Sequence, residues 1–117
     1  MNKKLILALS FTALACNAYS ASLFDVSLAK KCYAIAKRLT VIKDSQTLYE
    51  CRYKLSHASS DTESAALDIA LDKAYAREYL DDAIMALKHA QMYSCINEEG
   101  ILAEEQNLLA IKAQFNP

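Results

Sequence analysis

Gly100 is the only glycine in this chain, and Pro117, the last residue, is its only proline. Tight β-hairpin turns draw on glycine for positive φ, so a chain this poor in turn residues is directed towards helices joined by short polar loops. The apolar spacing agrees. Leu28, Cys32, Ile35, Leu39 and Ile42 recur at steps of four and three, which line one face of a helix. After a polar break at Lys43 to Ser45, Leu48, Cys51 and Leu55 repeat the pattern. A third run is predicted to start after Ser59-Ser60-Asp61, where Ser60 and Glu63 have capping-box spacing. Within that run Ala76, Leu80, Ala83, Leu87 and Ala90 share a face. Asn97 is placed to cap a last helix, with Glu98 and Glu99 in its first turn and Ile101, Leu102, Leu108 and Leu109 on its buried side. The expectation is an all-α domain, a small bundle of four or five helices built from antiparallel hairpins.

Residues 62–94 fit either one long helix or two, the break then falling at Tyr79-Leu80-Asp81-Asp82, where an aspartate would cap the new helix. Leu67, Ala70, Leu71 and Ala74, followed by Tyr79-Leu80-Asp81-Asp82-Ala83-Ile84, Leu87 and Ala90, resemble a single tetratricopeptide repeat over residues 64–94. Leu71 and Glu78 stand where that family carries a small residue and a glycine. The resemblance implies a helical hairpin with a groove that cradles a peptide.

The first twenty residues have a different character. Lys3 and Lys4 precede an apolar run from Leu5 to Leu9, and small residues follow as far as Ser20. A cationic head, an apolar segment too short for a stable membrane anchor and a small-residue exit describe a secretory signal peptide. Residues 1–20 are therefore expected to be removed and residues 21–117 to form a single domain, periplasmic or secreted, with no transmembrane segment after cleavage. Ala13-Leu14-Ala15 before Cys16 also resembles a bacterial lipoprotein signal, in which Cys16 would be acylated and tether the domain to a membrane. Ala13 and Leu14 depart from that pattern, so soluble export is the expectation and lipidation the alternative.

Export into an oxidising compartment gives the cysteines their meaning. Cys32 and Cys51 lie on the apolar faces of the first two predicted helices, about equidistant from a loop near residue 42, and a Cys32–Cys51 bridge is expected to staple the bundle. Cys95 is then free, or an alternative disulfide partner, because connectivity is not fixed by spacing.

No catalytic constellation stands out. His57 and His89 are far apart and lack a second ligand at helical metal spacing, so no metal is expected and surface or capping roles are assigned to both. A Cys95 nucleophile would need a base and an oxyanion donor, and no glycine-rich turn supplies the latter. The pairs Asp81-Asp82, Glu98-Glu99 and Glu104-Glu105 point in diverging directions on a helix and are read as solvated faces rather than dyads. The chain is accordingly expected to be neither an enzyme nor a cofactor carrier. Removing Lys3 and Lys4 from the 13 basic groups leaves 11 against 14 acidic ones, a net charge of −3, which argues against nucleic acid as a partner. A basic first helix (Lys30, Lys31, Lys37, Arg38, Lys43) and an acidic last helix (Glu98, Glu99, Glu104, Glu105) are expected to pack on each other. Tyr75, Tyr79 and Tyr93, falling near one stripe, and the acidic pair Glu104 and Glu105 are the candidate partner-binding residues. The function expected is that of an exported protein-binding module, an inhibitor or immunity-type protein that blocks an envelope enzyme. The alternatives are a periplasmic scaffold or chaperone that holds peptides, a lipoprotein adaptor, or self-association as a homodimer.

Overall fold

In α1, Leu23–Asp44, the apolar steps hold along the helix, and Leu28, Cys32, Ile35, Leu39 and Ile42 are all buried. A computed structural model describes residues 23–71 and 74–115; over them it has four helices and no strand. Those that follow α1 are α2 (Tyr49–Leu71), α3 (Ala76–Ala90) and α4 (Glu98–Gln114). Each packs antiparallel on the next, and α4 returns to α1. The result is an up-down-up-down bundle with one core. Leu28, Leu39, Leu55, Ile69, Leu80, Leu87, Ile101 and Leu108 fill it with almost no exposed surface. Truncating one of them to alanine costs about 2–5 kcal/mol. Ala58 and Ala65 on α2 and Ala76, Ala83 and Ala90 on α3 are fully buried, and their small side chains let those helices approach closely. Among the described residues no helix is long and apolar enough to cross a membrane. The leader and Cys16 lie outside the described residues.

Two expected boundaries move. The capping box at Ser60 and Glu63 does not form, because α2 runs unbroken from Tyr49 to Leu71. Its hydroxyls serve packing instead: Ser59 Oγ donates to Ala36 O of α1 at 2.9 Å and lies 2.8 Å from Thr40 Oγ1, while Thr62 Oγ1 donates back to Ala58 O. Residues 62–94 are two helices, but the break falls between Leu71 and Ala76 rather than at Tyr79-Leu80-Asp81-Asp82. There the Asp68 carboxylate accepts the Tyr75 backbone N–H at 3.1 Å, satisfying one of the free donors at the start of α3. Tyr79 to Asp82 lie inside α3, with Leu80 in the core. Leu67 and Leu71, on the packing face of the repeat-like pattern, are exposed, so the resemblance reduces to an antiparallel hairpin. Leu48, Leu102 and Leu109 also face solvent, whereas Ile101, Leu108 and Ile111 carry α4 into the core.

The Cys32–Cys51 bridge does not form. Cys51 is bonded to Cys95, with Cα atoms 5.6 Å apart, and Cys32 is a free thiol in the core. Register explains the difference. Ser59 sits opposite Ala36, so the first hairpin turns near residue 47 and Cys32 is level with about residue 65. That is fourteen residues, or about 20 Å of helix, from Cys51. Burial pushes the Cys32 thiol up to about 12, so almost no thiolate exists at neutral pH and the group behaves as a small apolar side chain.

The Cys51–Cys95 bond pins one end of the bundle, and Gln46 reinforces it. Its amide donates to Ile96 O at 2.7 Å and to Ile42 O at 3.1 Å, and accepts the Ile96 N–H at 2.8 Å. The loop after α1 is thereby fixed to the loop before α4. Asn97, at φ 66°, caps α4 through its side chain, which accepts from Gly100 N. A Cβ at Gly100 would press on that amide and move it off the cap, so glycine favours this cap.

Candidate functional site: the groove between the second and third helices

On α2, Tyr49, Tyr53, His57 and Asp61 recur every fourth residue and form a single ridge. The Tyr49 and Tyr53 rings stack with centroids 6.0 Å apart, and His57 tilts against Tyr53 at 4.7 Å. Antiparallel packing brings Asp82, Met85, Ala86 and His89 of α3 alongside this ridge. Tyr53, Lys54, His57 and Asp61 on one side and those four residues on the other line an open groove of about 390 Å³. The imidazoles assigned to separate surface or capping roles therefore share one site. Sequence spacing missed this because 31 residues lie between them and the sequence left open whether the chain turns back within residues 62–94.

Basic groups gather at one end of the groove and carboxylates at the other. At one end the Lys54 ammonium donates to His89 Nδ1 at 3.5 Å, which leaves the ring proton on Nε2 as a further donor. Two helical turns away, Asp61 and Asp82 oppose each other across the same groove. The Asp61 carboxyl is held above the usual range, chiefly by burial and then by repulsion from Asp82, with His57 acting the other way. Asp81, next to Asp82, turns away to an ion pair with Lys112 on α4.

The apolar rim of this face is exposed. Tyr49 is 62% exposed, Tyr53 45%, Met85 52% and Met92, just beyond α3, 79%. Such side chains are concentrated in protein interfaces because they bring large contact areas. The rim adjoins the end of the bundle that the disulfide and Gln46 hold rigid.

The seam between α1 and α4 contrasts with it. Arg38 binds Glu104 through two hydrogen bonds, of 2.6 and 3.1 Å, and Asn107 donates to the same carboxylate at 2.7 Å. Cavities on either side of this bridge, about 290 and 460 Å³, are lined by alanines, isoleucines and Val41 together with polar side chains such as Lys31, Asn97 and Gln114. The expected attraction between the basic first helix and the acidic last one is realised at this bridge.

Glu104 and Glu105 are therefore not a solvated, partner-facing patch. Both are buried: Glu104 serves α1, and Glu105, 100° further round the helix, accepts from Gln91 at the end of α3. Nor do the three tyrosines form one stripe. Tyr75 lies at the N-terminal end of α3, Tyr79 is half-buried against the core, and Tyr93 lies past the C-terminal end, more than about 20 Å from Tyr75 along the helix.

Among the described residues, no three His, Cys, Asp or Glu side chains are grouped to hold a metal ion. The fold and groove define a disulfide-linked four-helix bundle with an aromatic, charge-divided cleft. No protein-family model, no curated protein and no solved structure matches the chain.

Proposed function

We propose that the protein is an exported helical module that acts by binding another protein, and that the α2–α3 groove with its Tyr49, Tyr53, Met85 and Met92 rim is the contact surface. The observation that carries this reading is the exposed aromatic and methionine face beside a covalently pinned end of the bundle. A surface already held in shape loses little entropy on association, which favours a tight complex. The Cys51–Cys95 bond fits an oxidising compartment and so supports the predicted export. The role is that of an inhibitor or immunity-type protein that occludes an envelope enzyme and itself turns nothing over.

The test is capture from an envelope extract on the immobilised domain, followed by assay of the captured protein. One species should be retained in equimolar amount. The Tyr53→Ala/Met92→Ala variant should lose it by about tenfold or more, as expected for interface anchors. Val41→Ala, altered on the far side of the bundle, should retain it. An enzyme recovered in this way should lose its activity at equimolar inhibitor. Equal retention by both variants, or no retained species, would overturn the reading.

A further inference from the structure

The α2–α3 groove is divided into a basic end and an acidic end, and neither end neutralises the other. Asp61 lies seven positions after Lys54 on α2, and His89 lies seven positions after Asp82 on α3. Because the helices are antiparallel, these steps coincide: Lys54 meets His89, and Asp61 opposes Asp82, two turns or about 10 Å further along. In the α1–α4 seam Arg38 and Glu104 neutralise each other, and Asn107 donates to the same carboxylate. In the α2–α3 groove carboxylate faces carboxylate at one end and the Lys54 ammonium meets an imidazole at the other, and the wall between the ends is Tyr53, His57, Met85 and Ala86. The complement of such a trough is a chain with a cation at one end, a carboxylate about 10 Å away and apolar side chains between. An extended peptide covers that distance in about three residues.

Resting on the protein-binding reading, we propose that the groove receives an extended segment of the partner protein, with a lysine or arginine between Asp61 and Asp82 and an aspartate or glutamate at Lys54 and His89. The cation relieves the Asp61–Asp82 repulsion, so recognition is concentrated at that end. The carboxylate receives hydrogen bonds from the Lys54 ammonium and from His89 Nε2. Leucine-sized side chains between them lie on the Tyr53 ring and Met85.

Blocked peptides of the form Ac-Lys-Ala-Leu-Glu-NH2, in both residue orders, are the probes, with Ac-Gln-Ala-Leu-Gln-NH2 and Ac-Lys-Ala-Leu-Lys-NH2 as controls. Binding is read from the NMR shifts of the His57 and His89 ring protons. One charge-paired order should bind at least about fivefold more tightly than either control, the scale of two exposed ion pairs. That preference should shrink in about 0.5 M salt, where exposed charges are screened. In Asp61→Asn/Asp82→Asn, which removes a repulsion and retains the fold, the preference should vanish while weak apolar binding remains. Equal binding of the neutral peptide, equal binding of the two-lysine peptide, or no shift at the imidazoles would overturn the proposal. Retention of a captured partner that depends on Tyr53 but is indifferent to the two aspartates would overturn it while leaving the protein-binding reading intact. Loss of both results would remove both.

Discussion

Asp61 is destabilising where it stands. It is half-buried, faces Asp82 across the groove and is offset only in part by His57, so its folded-state pKa lies above the ordinary carboxylate value. A raised acid pKa means that the folded chain holds the proton more tightly than the unfolded chain. The stabilising contribution is therefore complete below the ordinary carboxylate range and is lost as pH rises through the folded value. Asp61→Asn should unfold at a higher temperature than the parent at neutral pH, and the advantage should vanish below about pH 4, where both chains are neutral at this position. Calorimetry over this range measures it, and an advantage that grows in acid would be inconsistent with the geometry. A repulsion retained at a surface groove is the pattern of a residue kept for what it binds. The ridge that carries it was legible in part: Tyr49, Tyr53, His57 and Asp61 at four-residue steps can be seen in the sequence, but what faces them depends on where the chain turns back.

Among the elements, α1 and the start of α4 were readable because their signals are local. Five apolar positions at helical spacing define α1, and Asn97 ahead of two glutamates defines the cap of α4. The signals at Ser59 to Glu63 misled for a physical reason, since a buried serine satisfied by a neighbouring helix has the same local sequence as a serine capping its own. That error carried into the α2–α3 turn, and with it the pairing of the two histidines. The cysteines failed on register, which follows from helix ends rather than from the midpoint between two residues. The Cys51–Cys95 bond spans 44 residues and ties the first turn of α2 to the loop before α4. Closing a loop of that size contributes on the order of 4 kcal/mol by restricting the unfolded chain. Cys95→Ser should lower the urea midpoint, and the unfolding free energy given by midpoint times slope should fall by an amount approaching this value. An unchanged midpoint would mean that Gln46 and the core hold that end without the bond.

For the molecule as a whole, the two principal surfaces differ in what they leave unfinished. The α1–α4 seam is bridged by the Arg38–Glu104 ion pair, whereas the α2–α3 groove holds two opposed aspartates beneath an exposed aromatic and methionine rim. A benzophenone amino acid introduced at Met85, or in a separate variant at Val41, distinguishes the two faces in the native cell. Both positions are exposed, so neither substitution disturbs the core. If the groove is where the protein meets its partner, irradiation should give a single discrete adduct from Met85 and none from Val41. Adducts from Val41 alone, or the same adducts from both, would contradict the assignment of function to this face.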